Sequence, residues 1–261
     1  TYTTTLIPTA SGTAEKPITI RLADEPGRSG QAVFFGGRST PLPYCDQTNY
    51  HYQTNGVLDY GIYLENVSGL VIDGGKWSGI VIHGVNRYGI RLEETTSSIT
   101  LRYLEIYDNG YASNEGGNWS SGGKGINLRG NAHIFERLLI HDNGQDAIQS
   151  NGAGVNNITI RESWLYNSRQ HPTVNQSFNW CTHSDALQIH NGGIVEGITI
   201  EDSVLGPGFT NTLLLGDTEV DVNNVTLRHV LVLKGADSNI SAHSSATPSV
   251  NSWTLQNVTV Y

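Results

Sequence analysis

Residues that carry proton-transferring and cation-binding groups are concentrated in the segment HSDALQIH, His183 to His190. A carboxylate, Asp185, stands between two imidazoles, His183 and His190, and Gln188 adds an amide. Imidazoles and carboxylates act as general acids and bases, and carboxylate oxygens also bind hard cations such as Ca²⁺. Apolar and polar residues alternate from Leu187 to His190, which predicts a strand with Leu187 and Ile189 on one face and Gln188 and His190 on the other.

This segment is one member of a repeat. Seven segments align without gaps, and they begin at Tyr60, Tyr88, Lys124, Asp146, Asp185, Asn211 and Ser238. Their third position is apolar every time, which predicts an inward-facing column made of Ile62, Ile90, Ile126, Ile148, Leu187, Leu213 and Ile240.

Two further strands follow in each repeat. The outward positions of the second strand alternate in charge, which predicts cross-strand ion pairs along the column Arg102, Glu136, Arg161, Glu201, Arg228 and Gln256. The third strand ends in turns of the type DNG, NS or GPG, whose residues tolerate a positive φ. Three strands and three turns in each repeat predict an all-β, single-domain parallel β-helix of about seven or more coils.

The predicted domain covers residues 1–261, with a cap and the first strands in 1–56 and regular coils in 57–261. Two insertions interrupt the coils at 111–123 and 169–183. They contain Tyr111, Trp119 and Trp180, which suit stacking on sugar rings; alternatively, these aromatics pack the loops against the coils. The insertions are expected to wall a groove over the first sheet.

Stacked coils place polar side chains in columns about 4.8 Å apart from one coil to the next. Three columns are predicted over the first sheet: Lys124, Asp146, Asp185 and Asn211; then Arg91, Asn127, Gln149 and Gln188; then Arg129, Asn151, His190 and, further on, His243. They predict a contiguous reactive patch with Gln149, Gln188, Asn127 and Asn151 as substrate ligands. The alternative is structural, because aspartates at strand starts bond turn amides and stacked amides stabilise solenoids.

Several motifs resemble known families. GQDAIQ with ITIRES, and HSDALQI with ITIEDSVLGPGF, resemble the polygalacturonase family, although Ser184 and Asp185 stand where that family has paired aspartates. The opening SGTAEKPITI resembles the start of β-helix polysaccharide lyases. Nearly the whole chain resembles the right-handed pectate-lyase-like β-helix superfamily. This resemblance implies a right-handed coil and an enzyme that acts on a polysaccharide.

A lyase that cleaves a uronate-containing glycan is the favoured function. Such an enzyme needs a base for the proton beside the uronate carboxylate, together with a cation that neutralises that carboxylate. The candidate bases are Lys124, Arg129, His183 and His190. Asp146 and Asp185, with the carbonyl oxygens of Gln149 and Gln188, are candidate ligands of Ca²⁺.

Two other functions stay open. In a glycoside hydrolase, Asp146 and Asp185 would be the acid and the base, and their separation would decide between inversion and retention. In a glycan-binding or adhesin-like β-helix, the same groove would bind a polysaccharide without cleaving it.

Composition narrows the partners. The net charge of −9 argues against nucleic acid, and it requires a local basic cluster or a cation for binding of an acidic polymer. No apolar run reaches the length of about 18 residues that a membrane span needs. Cys45 and Cys181 either form a disulfide in an oxidising compartment or remain thiols. We expect a secreted monomer. Because the chain begins at Thr1 without a methionine, we also expect a mature or trimmed form.

Overall fold

The computed structural model describes residues 1–23, 25, 30–37, 58–110, 123–151, 154–166, 184–190, 193–208, 210–216, 220–235, 238–242 and 252–261. These ranges contain β-strands and no helix, so none of them holds a helix that could span a membrane. All the strands pair in parallel and form three sheets. The predicted single-domain, right-handed parallel β-helix is confirmed.

The strands of the described ranges have the following bounds. In chain order they are β1 (Ile18–Arg21), β2 (Ala32–Phe35), β3 (Tyr60–Leu64), β4 (Ser68–Asp73), β5 (Ile80–His83), β6 (Tyr88–Leu92), β7 (Ser97–Arg102), β8 (Leu104–Tyr107), β9 (Ile126–Leu128), β10 (Ile134–Glu136), β11 (Leu139–His141), β12 (Ile148–Asn151), β13 (Asn156–Arg161), β14 (Trp164–Leu165), β15 (Leu187–His190), β16 (Gly193–Glu201), β17 (Val204–Leu205), β18 (Asn211–Leu215), β19 (Val220–Arg228), β20 (Leu231–Val232), β21 (Ser238–Ala242), β22 (Trp253–Gln256) and β23 (Thr259–Val260).

Each coil contributes one strand to each sheet in turn. Sheet 1 contains β3, β6, β9, β12, β15, β18 and β21; sheet 2 contains β1, β4, β7, β10, β13, β16, β19 and β22; sheet 3 contains β2, β5, β8, β11, β14, β17, β20 and β23. The register along sheet 1 pairs Ile62 with Ile90, and it continues through each member of the predicted apolar column as far as Ile240. The alignment of the seven segments is therefore confirmed.

The core lies where the inward columns of the three sheets meet. In the coil of β9, β10 and β11 these columns supply Ile126, Phe135 and Ile140, all fully buried. Burial of each such side chain stabilises the fold by roughly 1.5–3 kcal/mol. The same packing requires a glycine at position 125, just before Ile126. A Cβ on Gly125 would collide with the Ile140 side chain.

The predicted charge ladder on sheet 2 is in register, and ion pairs form within it between Glu136 and Arg161 and between Glu201 and Arg228. Asp73 on the preceding coil adds a partner for Arg102. Arg102 Nη2 lies 2.8 Å from Asp73, Arg161 Nη2 lies 2.9 Å from Glu136, and Arg228 pairs with Glu201. Although this face of the sheet points outward, the side chains of Asp73 and Glu136 are buried. Burial alone would raise the pKa of Asp73, but hydrogen bonds from Arg102 and the Gly75 amide lower it below its usual value.

The corner between sheets 2 and 3 is a single left-handed residue in six successive coils. These residues are Tyr103, Arg137, Glu162, Asp202, His229 and Asn257, with φ between 48° and 60°. Apart from Asn257, each donates its backbone amide to a carbonyl of the next coil over 2.9–3.2 Å. The ladder bond compensates for the backbone strain, which costs on the order of 1 kcal/mol for each residue that is not glycine.

His133 is a buried histidine that should make stability depend on pH. Its Nδ1 accepts a hydrogen bond from the Ile99 amide at 3.2 Å, and its Nε2 donates to the Arg129 carbonyl oxygen at 2.9 Å. Burial lowers the pKa of His133 from 6.5 to about 4, although the bond to Arg129 opposes this. The neutral ring therefore stabilises the fold fully above pH 6.5, and this stabilisation is lost as the pH falls towards 4.

We expect this histidine to contribute a loss of about 3 kcal/mol in the free energy of unfolding between pH 7 and pH 4. In a His133→Asn variant, whose side-chain oxygen can accept from Ile99, that contribution should disappear. Urea unfolding at several pH values measures the difference, with His229→Asn on the surface as the control. Parallel stability profiles for His133→Asn and the unsubstituted protein would contradict the expectation.

Candidate functional site

The first predicted column of sheet 1 is continuous in the structure. The Nζ of Lys124 lies 5.4 Å from the ring centroid of Tyr88 on the preceding coil, and it lies in the field of the Asp146 carboxylate on the next one. Asp146 Oδ1 accepts the Asp185 amide at 2.7 Å, and Asp185 Oδ1 accepts the Asn211 amide at 2.7 Å. Five successive coils are thus linked through side chains that stand just before or at the start of a strand.

The burial of this column differs from the expectation of open, groove-facing side chains. Lys124 is only 2% exposed, and Asp146 and Asp185 are 0% exposed. The two aspartates are drawn in because one oxygen of each satisfies a backbone amide of the next coil, which would be costly to leave unpaired. The structural alternative, in which aspartates at strand starts bond backbone amides, therefore accounts for one oxygen of each aspartate.

The second column places the predicted amide ligands in one row. Asn127 is in register with Arg91 on one side and with Gln149 on the other, and Gln149 is in register with Gln188. Gln149 Nε2 donates to Gln188 Oε1, and all three amide side chains are buried rather than open to solvent. Among the described residues, Gln149 Oε1 has no hydrogen-bond partner. Their role as substrate ligands stays a prediction.

The remaining predicted residues lie further along the strands or outside the described ranges. His190, half-buried at the end of β15, is in register with Asn151. Arg129 Nη1 lies 3.3 Å from Glu94 and 3.5 Å from Glu93, and an ion-paired guanidinium suits charge stabilisation better than proton abstraction. The features outside the described ranges are Tyr111, Trp119, Trp180, His183, His243, Cys45, Cys181, the Asn151 side chain and the insertions 111–123 and 169–183 except Gly123.

A cluster of tyrosines and arginines adjoins Lys124 on the preceding coils. This tyrosine–arginine cluster consists of Tyr60, Tyr63, Arg87, Tyr88 and Arg91. The Arg91 guanidinium lies 5.5–5.9 Å from the centroids of the three tyrosine rings, and Tyr60 stacks on Tyr88 at 5.8 Å. The Tyr60 hydroxyl accepts Nη1 of Arg91 at 2.9 Å and Nη1 of Arg87 at 3.2 Å.

Sequence reasoning named Arg91 and missed the tyrosines and Arg87. The available signal was the column itself, because Tyr60 and Tyr88 occupy the same repeat position as Lys124.

The proton affinities of Lys124 and Tyr88 are shifted in opposite directions. Burial lowers the pKa of Lys124 to about 8; Asp146 works against this shift, while Arg129 and Arg91 add to it. Burial raises the pKa of Tyr88 above its ordinary value, although the neighbouring arginines oppose that shift. An amine with a pKa of about 8 is partly neutral at physiological pH and is suited to general-base catalysis.

The described residues do not by themselves fit the predicted Ca²⁺ site. Nowhere in the described ranges do three or more His, Cys, Asp or Glu side chains come together as a metal-ligating group. Asp146 and Asp185 each use one oxygen for a backbone amide, whereas Ca²⁺ takes six to eight oxygen ligands. The Ca²⁺ site at Asp146 and Asp185 stays a prediction.

The chain has the fold of the right-handed parallel β-helix proteins. Among solved structures, pectate lyase Pel9A aligns with a TM-score of 0.58 and 17% identity over 98% of this chain and 64% of that protein. The chain thus spans less than two thirds of the length of Pel9A. The periplasmic alginate epimerase AlgG aligns with a TM-score of 0.47 and 13% identity over 77% of this chain and 47% of that protein.

Comparisons of the amino-acid sequence found no match. No protein-family model matches the chain. No curated protein matches it either.

Proposed function

We propose that the protein is a polysaccharide lyase that cleaves a uronate-containing glycan over sheet 1, with Lys124 as the base. The observation that carries this function is the buried Lys124 amine, whose pKa is lowered to about 8 amid arginines. The name of Pel9A supports the choice of reaction, because that protein shares the fold over almost all of this chain.

The reaction is a β-elimination. The neutral amine of Lys124 removes the proton from the carbon beside the uronate carboxylate. The electron pair forms a double bond to the adjacent carbon as the glycosidic C–O bond breaks, and the leaving oxygen takes up a proton. Negative charge develops on the carboxylate, where the guanidinium groups of Arg91 and Arg129 would stabilise it.

The local charge supports an acidic substrate despite the net charge of −9. Four of the fifteen lysines and arginines lie near one another, namely Arg87, Arg91, Lys124 and Arg129. Arg91 and Arg129 act to lower the pKa of Lys124, and all three arginines act to lower the pKa of Tyr88. This is the local basic cluster that binding of an acidic polymer requires. Because such polymers do not cross membranes, we expect the protein to act outside the cytoplasm. We also expect it to act as a monomer.

Acidic and neutral polysaccharides should give different results with the purified protein. We expect the ultraviolet absorbance of an unsaturated product and the number of reducing ends to rise together with a uronate polymer, and neither to rise with a neutral one. Reducing ends without absorbance would instead indicate a hydrolase. Binding to the polymer without any product would indicate a glycan-binding protein. Either result would contradict the lyase.

A further inference from the structure

The geometry around Lys124 supplies a second proton-transferring group. Tyr88 occupies the same repeat position on the preceding coil, and coils are separated by about 4.8 Å. The Lys124 Nζ lies 5.4 Å from the centroid of the Tyr88 ring, and Tyr88 is only 7% exposed. A β-elimination needs a base at one carbon and an acid at the oxygen on the next carbon. Lys124 and Tyr88, on neighbouring coils, supply one candidate group for each of these two positions.

The surroundings of the two groups set their protonation oppositely. Burial raises the pKa of Tyr88, so its hydroxyl carries a proton at the pH at which a part of Lys124 is a neutral amine. A base and an acid can work together at one pH when their environments shift their pKa values apart.

The arginines near Tyr88 offset part of the effect of burial on its pKa. The guanidiniums of Arg87, Arg91 and Arg129 oppose the effect of burial on the pKa of Tyr88, so they stabilise a phenolate there. Arg87 and Arg91 donate hydrogen bonds to the Tyr60 hydroxyl. These bonds hold the two cations beside the Tyr88 ring, which Tyr60 covers on one side at 5.8 Å.

We propose that Tyr88 is the general acid that protonates the leaving glycosidic oxygen, a role that depends on the proposed lyase function. As the C–O bond breaks, the hydroxyl proton of Tyr88 moves to the leaving oxygen. Lys124 then holds the proton taken from the sugar, and Tyr88 is a phenolate. Transfer of a proton from the Lys124 ammonium to the Tyr88 phenolate restores both groups.

The test compares two leaving groups in a Tyr88→Phe variant. On the uronate polymer, we expect kcat to fall about 10²–10⁴-fold while KM changes little, because the ring stays and only the acid is lost. On a uronide with an aryloxy leaving group, which departs without a proton, the rate should return to near that of the unsubstituted protein. Tyr166→Phe, in the ring stack of sheet 3, is the control for loss of a phenol hydroxyl.

Other outcomes overturn this role. Full activity of Tyr88→Phe on the polymer, or an equal loss on both substrates, would show that Tyr88 is not the acid. The aryloxy substrate also keeps the two proposals separate. If Lys124→Ala is as fast as the unsubstituted protein on both substrates, the lyase function with Lys124 as base fails, whatever Tyr88 does.

Discussion

Replacement of Lys124 by alanine is expected to lower kcat/KM on a uronate polymer by about 10²–10⁴-fold, the usual contribution of a general base. Lys124→Arg should lose about as much, because a guanidinium keeps its proton and cannot accept another. Initial rates of absorbance increase measure both variants. Lys16→Ala, at an exposed position outside the site, should keep full activity.

The pH dependence adds a second readout for the same lysine. Only the neutral amine accepts a proton, so kcat/KM should rise about tenfold for each pH unit below the Lys124 pKa. It should level off near pH 8, since that pKa is about 8. A Lys124→Ala variant with activity within threefold of the unsubstituted protein, or a profile without a rise below pH 8, would rule out Lys124 as the base.

The repeat could be predicted from sequence because each inward position must be apolar in every coil. Ile126, Ile148 and Leu187 stand at one repeat position, and a shift of one residue would turn polar side chains into the core. Turns at Asp108, Asp142 and Gly206 were also predictable, since these residue types accept the positive φ that the corner requires.

The corner between sheets 2 and 3 could not be predicted in the same way. Tyr103, Arg137 and Glu162 adopt positive φ there although these residue types disfavour it. The left-handed conformation is maintained by backbone bonds between successive coils, such as the one from the Arg137 amide to the Arg161 carbonyl oxygen at 3.0 Å. Such long-range bonds leave no local signature in the sequence.

The sequence predicts which residues of the candidate site share a column, but it does not predict how deeply each side chain is buried. Sequence spacing placed Lys124, Asp146 and Asp185 on successive coils. It could not show that Lys124 is buried beside Tyr88, because burial depends on side chains from other coils. The shifted pKa of Lys124, which carries the proposed function, follows from that burial.

Alanine at both Asp146 and Asp185 is expected to lower the free energy of unfolding by about 4–6 kcal/mol. Each change removes a buried carboxylate and leaves an amide, that of Asp185 or that of Asn211, without its acceptor, at a cost of about 2–3 kcal/mol for each site. Asparagine at both positions keeps an acceptor oxygen and should lose far less. Urea unfolding of the two double variants measures the difference.

The activity of the double asparagine variant distinguishes a lyase from a hydrolase. An amide cannot act as acid or base, so a hydrolase that used Asp146 and Asp185 would lose about 10³-fold or more in rate. A lyase with Lys124 as base should stay within about tenfold of the unsubstituted protein. Its rise with pH should move to lower pH, because the Asp146 carboxylate raises the pKa of Lys124 and the amide does not. A folded but inactive variant would therefore assign catalysis to the aspartates, and an active variant with the shifted profile would assign it to Lys124.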